Sequence, residues 1–432
     1  MRLHNNAAVC LTGWRLGWGS RNIAVATALM TMLAITGAAH AEDIESTDVP
    51  KWAFGGYGTL GAARSSQPFA DYSGSVLNPG RAGYGRQWSP EVDSRLGAQI
   101  DATFNRRWSA VLQVLAEHRL DGSYRPQIEW ANIQYKVTPD FSIRVGRIAL
   151  PIFLTGDYRN VHYSSPWIRP PVEVYGALPV SSSDGIDASY RWNLGDLANT
   201  TQVSYGRTEV KLNDGGRAYG RAIAGLSNSS NYGAFNMRAS IMTAEVSADT
   251  ARPLFDAFRQ FGAQGNDIAN QYDVDHKRVL ITSLGFNYDP GHWFLTGEIG
   301  SMNAHSYLGD KTVMYLGTGY RAGSLTPYIS YGKSKSNAPI SNAGLSPTGN
   351  PFVDGAAAVL NGQLNSVLRT VAVQHTVTMG VRWDFAANVA LKVQYDRVRP
   401  QGGSTGTLIN VQPGYQSGQT FSVVSAALDF VF

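Results

Sequence analysis

The sequence predicts an all-β chain, folded as a sixteen-stranded antiparallel transmembrane β-barrel with short turns at one end, long loops at the other and an inward-folded third loop. Three observations predict it. Segments of about ten residues alternate polar and apolar side chains, as a strand with one wet and one lipid-facing side must. The connectors between those segments alternate between short and long. Past residue 41 no run of about 18 apolar residues occurs, so no spanning helix is expected.

The first 41 residues read as a leader. Arg15 and Arg21 precede an apolar run over residues 23–39, followed by Ala39-His40-Ala41 and an acidic start at Glu42. A basic region, an apolar region and an A-x-A site are the parts of a secretory signal peptide, which leaves 42–432 as the folded chain. The apolar run is shorter than the ~20 residues of a spanning helix. Arg2, Arg15 and Arg21 fall in the leader and no acid does, so the remainder of the 36 basic and 32 acidic residues is nearly balanced. That balance argues against nucleic acid as a partner. The only cysteine, Cys10, also lies there, which excludes a disulfide framework or a thiolate metal site in the mature chain.

Residues 51–62 (KWAFGGYGTLGA) form the first predicted strand. In 95–104, Leu96, Ala98, Ile100, Ala102 and Phe104 share one face, and Arg95, Gln99, Asp101 and Thr103 the other. In 108–117, Trp108, Ala110, Leu112, Val114 and Ala116 alternate with Ser109, Gln113 and Glu117. Thirteen more are expected at 127–137, 141–147, 185–192, 199–210, 218–228, 234–246, 277–288, 292–302, 312–320, 325–335, 370–385, 389–399 and 419–432.

Short connectors such as 105–107, 138–140, 193–196, 232–233, 289–291, 322–324 and 386–388 are rich in Gly, Pro, Asn and Asp, as tight turns require. Between them fall 63–94, 150–184, 247–276, 336–369 and 400–418. Short turns at one end and long loops at the other are the plan of an outer-membrane barrel, and an even strand count puts both termini on the short-turn, periplasmic side. Trp52, Trp108, Trp192, Trp293 and Trp383 sit beside short turns or at the chain start, where amphipathic rings collect at headgroup level. Two long loops carry helical signals. Residues 252–262 place Leu254, Phe258 and Phe261 at i, i+4 and i+7 between Pro253 and Gly262, and 351–360 reads as a short helix.

Residues 150–184 hold Pro151, Pro166, Pro170, Pro171 and Pro179 and no sustained period. A loop this long inside an ordered domain is functional or disordered. Its Tyr158, Tyr163, Trp167 and Tyr175, mixed with Asp157, Arg159, Arg169 and Glu173, argue for a plug or constriction folded into something hollow.

With the strand, turn and strand YKVTPDFSIRVGR, the long loop after it and the ending ALDFVF, the chain resembles the Gram-negative porins. These are sixteen-stranded, usually trimeric diffusion channels. The resemblance covers the whole mature chain as architecture, and Gly146-Arg147 matches the end of the fifth porin strand. It implies the bacterial outer membrane as location, outer-membrane lipids and lipopolysaccharide as surroundings, a homotrimer, and an inward loop that narrows the pore. It also implies that Leu428, Phe430 and Phe432, on one face, form the signal read by the barrel-assembly machinery. LPIFLTGD departs from the Pro-Glu-Phe-Gly-Gly stretch of many general porins.

Other chemistries are poorly served. Gly56-Tyr57-Gly58-Thr59-Leu60-Gly61 fits G-x-G-x-x-G, but a dinucleotide site needs a preceding strand and a following helix. Small residues at a crowded wall or subunit contact are the simpler reading. His118, His162, His276, His292, His305 and His375 never show helical zinc spacing, and no G-x-S-x-G elbow is present. No metal, no cofactor and no enzymatic activity are expected.

By alternation the pore wall is assigned Arg95, Asp101, Gln113, Glu117, Arg144, Arg191, Arg382, Lys392 and Asp396. Asp157, Arg159, Arg169 and Glu173 are assigned to the constriction. Arg144 and Arg191 either face Asp157 and Glu173 across the aperture, ordering water in a transverse field, or the charges tie the loop to the wall. The expected function is passive diffusion of small hydrophilic solutes and ions. The alternatives are an uptake channel selective for an anion or sugar class, or an outer-membrane hydrolase or structural barrel with a closed lumen.

Overall fold

The computed structural model describes residues 50–212 and 216–432; the expected leader lies outside them. The strands are β1 Lys51–Ser65, β2 Arg95–Thr103, β3 Trp108–Glu117, β4 Gln127–Lys136, β5 Phe141–Ala149, β6 Ser182–Leu194, β7 Leu197–Lys211 and β8 Arg217–Tyr232. They continue as β9 Phe235–Ala248, β10 Lys277–Tyr288, β11 Trp293–Asn303, β12 Lys311–Tyr320, β13 Leu325–Ser336, β14 Gln374–Ala386, β15 Val389–Pro400 and β16 Phe421–Val431. Each pairs antiparallel with its sequence neighbours, and β1 closes the ring against β16. Closure is what a spanning sheet requires, because hydrocarbon offers no partner to an open edge.

The apolar residues sit on the wrong side for a water-soluble domain. Phe54, Val145, Val203, Leu226, Ile241, Leu284, Ile299, Leu316, Ile329 and Met379 are all exposed on the outer face. A continuous belt of this kind is tolerable only against lipid. The five tryptophans named above stand outward and exposed beside the short-turn end. The tight turns there use Gly195, Gly233 and Asn388 at φ 59°, 54° and 62°, the left-handed region that two-residue hairpins need.

The β1–β16 seam explains the glycine run of β1. A Cβ on Gly58 would stand 2.3 Å from the Phe430 ring, and one on Gly56 2.4 Å from Phe432. Phe432 also exchanges both backbone hydrogen bonds with Gly56, at 2.9 and 3.0 Å. Gly58→Leu is therefore expected to reduce the fraction of chain that closes. Heat-modifiable gel mobility reads this, with Gly355→Leu, which meets open space, as the unaffected control. Equal folded fractions would show that the seam does not need the glycine.

Several details differ from expectation. The inward loop spans residues 150–181, since β6 begins at Ser182, and contains a single 3-10 turn at His162–Ser164 and one short α-helix, α1 Val172–Tyr175. The 252–262 signal becomes α2 Arg252–Arg259 and a second helix, α3 Gly262–Tyr272, hidden in the sequence by weak helix formers (GAQGNDIANQY). The 351–360 signal becomes α4 Pro351–Leu368, which moves the next strand start from 370 to Gln374. Phe255 and Phe258 of α2, Ile268 of α3 and Leu364 and Leu368 of α4 form one apolar cluster at the long-loop end. A small sheet (Ala82–Gly83, Asp71–Tyr72, Leu408–Ile409) ties the loop after β1 to the loop after β15.

Candidate functional site

The loop after β5 turns into the barrel and stays there. Its two ends are joined at a neck by the Leu150 amide donating to the Ser181 carbonyl at 2.9 Å. Wall glycines provide its seats. A Cβ at Gly285 would lie 2.9 Å from Leu154, one at Gly317 3.1 Å from the Trp167 ring, and one at Gly332 2.4 Å from the Glu173 carboxylate. The Trp167 indole stands edge-on to Phe294, Tyr315 and Tyr328, with centroids 6.1–6.2 Å away.

Polar anchors hold the backbone of the loop, whose irregular path leaves carbonyls and amides that need partners. The Ser240 and Ser283 hydroxyls donate to the Ile152 carbonyl, and the Leu154 amide donates to Glu298 at 3.0 Å. Arg382 donates to the Tyr163 and Ser165 carbonyls and pairs with Asp384 at 2.7 Å. Lys392 donates to the His162 and Trp167 carbonyls at 2.8 and 3.1 Å while pairing with Asp429 at 2.7 Å. Burial, then the charges of Arg95, Lys392 and Arg169, hold the His162 imidazole well below the usual histidine range, so it is neutral.

The four loop residues assigned to the constriction separate into two kinds. Arg169 and Glu173 are buried in the wall contact. Arg169 forks onto Asp93 at 2.8 and 2.7 Å and also donates to Asp396 at 2.9 Å and Ser425 at 2.6 Å. Glu173 accepts from Gln374 at 2.6 Å and from Thr376; burial raises its carboxyl above the ordinary range against those donors. Asp157 and Arg159 are more open. Asp157 pairs with Arg238 at 2.7 Å, and Arg159 donates to the Leu178 carbonyl at 3.0 Å.

The wall residues assigned by alternation fall on inward positions, but the transverse pairing, one of the two readings of Arg144 and Arg191, does not form. Arg144 is held by Asp187 on the neighbouring strand, at 2.6 Å, and Arg191 lies at the short-turn rim near Asp140 and the Pro139 carbonyl. Neither meets Asp157 or Glu173, because each charge finds a nearer partner. Arg95 pairs with Glu117 at 3.4 Å, Gln99 donates to Asp101 at 2.8 Å, and Gln113 donates to Gln99 at 2.7 Å. Arg238 and Glu298 are not among the residues assigned, although the alternation along 234–246 and 292–302 is the signal that places them inward. Asp93 lies in an aperiodic loop and gave no signal.

The anchors span the whole lumen. Arg95 of β2 donates to Asn160 at 3.4 Å, and Ser283 of β10 to the Ile152 carbonyl at 3.1 Å. These strands are eight places apart in a ring of sixteen, hence diametrically opposed. The loop therefore divides the interior. On the short-turn side lies a chamber of about 480 Å³ bordered by Tyr158, Tyr163, Asp289, Arg321 and Arg382. On the long-loop side lies one of about 350 Å³. Between loop and the β2–β3 wall is a gap of about 80 Å³, where Arg95, Glu117, Arg159 and Asn160 converge. Strands β5 to β7 line the lumen with Arg144, Asp187, Gln202 and Ser204.

One expectation is overturned on β8 to β11. The inward face there is apolar at the long-loop level: Ile223, Met242, Val279, Ile281 and Met302 are all buried inside the barrel. The sequence signal was the unbroken Val279-Leu280-Ile281, which makes both faces of β10 apolar.

No protein-family model and no curated protein sequence matches the chain. Solved structures do. The anion-selective porin from Comamonas acidovorans is 14% identical, covering 89% of this chain and 100% of its own, with a TM-score of 0.52. Salmonella typhi OmpF, in complex with daunomycin, is 12% identical over 89% of this chain and 98% of its own, at 0.51. The outer-membrane channel DcaP of Acinetobacter baumannii is 11% identical over 90% and 99%, at 0.50. At these identities the likeness is one of fold: the closed sixteen-stranded barrel of outer-membrane porins.

Proposed function

We propose that this chain is an outer-membrane, porin-type channel that passes small solutes and ions between its folded loop and the β2–β7 wall. In this reading the short turns are periplasmic, the long loops external, the barrel a homotrimer and residues 1–41 a cleaved signal peptide. Leu428, Phe430 and Phe432 serve as its assembly signal, and no cofactor takes part. The observation that carries the proposal is the loop itself, pinned to opposite walls of a lipid-facing barrel and leaving a charged gap beside a polar wall. A loop held at both sides defines an aperture without closing the ring. Purified protein in planar bilayers is expected to give discrete ohmic steps; a silent bilayer containing folded barrels would overturn the reading. Chemical cross-linking in the membrane should cap at three subunits.

The gap sets the ion preference. Arg95 and Glu117, register partners on its β2–β3 wall, offset each other, while Arg159 donates to backbone carbonyls and faces Glu129 from a distance. Near-balance predicts weak selectivity, with single charges able to tip it. Under a salt gradient, Arg159→Gln is expected to move the reversal potential towards cations and Glu117→Gln towards anions. Equal potentials in all three proteins would mean that ions pass elsewhere.

A further inference from the structure

A porin lumen has little use for an apolar wall, yet this one is apolar on one side of the long-loop chamber. Met242 of β9, Val279 and Ile281 of β10 and Met302 of β11 face Leu178 and Val180 of the folded loop across a space of about 350 Å³. That volume falls within the range of small-molecule sites. Left to water alone, such a surface holds solvent that has few hydrogen-bond partners.

The same chamber is bordered by a cation of unusual standing. Lys311, at the start of β12, is the register partner of Met302, points inward and is 9% exposed. Among the described residues it has no ion pair and no side-chain hydrogen bond. Lys392 shows how this fold treats a lysine required only for structure: it is fully buried, paired with Asp429 and bonded to two loop carbonyls. A buried ammonium without such partners is costly, and a negative group supplied from outside removes that cost. The carboxylate that also borders the chamber does not serve. Glu173 is taken up by Gln374 and Thr376 and sits beside Gly332, four residues deeper along β13 than Ser336, the partner of Lys311. Four strand residues are about 13 Å.

We infer that the long-loop chamber is a binding site for a small amphiphilic monoanion, its negative head on Lys311 and its apolar body against Met302, Ile281 and Met242. The inference rests on the channel reading and names the solute class that the channel receives. Apolar body and anionic head are both required, since neither butyrate-sized anions nor neutral apolar solutes engage both halves.

The test uses full-length protein in amphipol, free of detergent micelles, with calorimetric titration of 4-phenylbutyrate, butyrate and 4-phenylbutanol. 4-Phenylbutyrate is expected to bind saturably at one site per chain, with butyrate at least about tenfold weaker. Lys311→Gln is expected to weaken 4-phenylbutyrate about tenfold, the scale of one charge-assisted hydrogen bond, and to leave 4-phenylbutanol unchanged. Ile281→Asn should weaken both phenyl compounds. Butyrate binding as well as 4-phenylbutyrate on the unaltered protein would overturn the inference whatever the variants do, as would an unchanged affinity in folded Lys311→Gln. Ohmic conductance without saturable binding overturns this inference alone, whereas binding without conductance overturns the channel.

Discussion

Arg169→Leu is expected to release one side of the folded loop, giving larger and noisier conductance steps from a barrel that still closes. The guanidinium is 6% exposed and joins three parts of the chain: Asp93 in the loop after β1, Asp396 on β15 and Ser425 on β16. Its face also lies 5.4 Å from the centre of the Tyr72 ring. Removing it leaves two buried carboxylates, Asp93 and Asp396, with no opposing charge. Breaking a buried pair from one side costs about 3–5 kcal/mol. The ring of strand ladders does not depend on that contact, so the penalty falls on loop seating and not on barrel closure. Arg169→Lys keeps the charge but loses the fork onto Asp93 and should lie between. Single-channel recording together with limited proteolysis of the loop measures both effects. Wild-type steps and an uncleaved loop in Arg169→Leu would show that the loop is held elsewhere.

Burial and partners separate two roles that charge alone could not separate in the sequence. Asp157, Arg159, Arg169 and Glu173 look equivalent in an aperiodic stretch, because nothing local says which will meet a wall. The period-2 pattern carried the barrel well, since one face met lipid and the other water along nearly every strand. The predicted strand 277–288 coincides with β10 at both ends. The same rule failed where its premise failed. On β10 the inner face meets neither water nor lipid but the apolar flank of a loop and chamber, so Val279 and Ile281 broke the alternation that Leu280 and Leu284 kept. Partners far apart in sequence were invisible for a related reason. Arg169 reaches Asp396 across 227 residues, and only ring closure brings β15 and the folded loop to one place. The glycines behaved in the opposite way. Gly285, Gly317 and Gly332 stand within the predicted strands 277–288, 312–320 and 325–335, where a glycine packs nothing itself, and their reason is the side chain of another segment seated against each.

Trp167→Ala tests that last point and is expected to open a second path on the β11–β13 side of the loop, away from the proposed β2–β7 passage. Trp167 is 7% exposed and wedged against Phe294, Tyr315 and Tyr328, and it also borders the 480 Å³ chamber on the short-turn side. Truncating a buried tryptophan costs about 3–5 kcal/mol, part of it a cavity that opens directly onto that chamber and fills with water. Conductance should rise, and the loop centre, then held by the bonds of Ile168, Arg169 and Lys392 towards β15 and β16 without the opposing aromatic seat, should become labile. Gly317→Leu attacks the same contact from the wall: its side chain would take the space of the indole, 3.1 Å from where a Cβ alone would stand. Each substitution alone is expected to unseat the loop. Together they are expected to be milder than their sum, because the leucine fills the hole that the missing indole leaves, and contacting sites are the ones that fail to add. Strictly additive effects on conductance and thermal release of the loop would mean that Trp167 and Gly317 do not share a contact, and that the loop takes another path through the barrel.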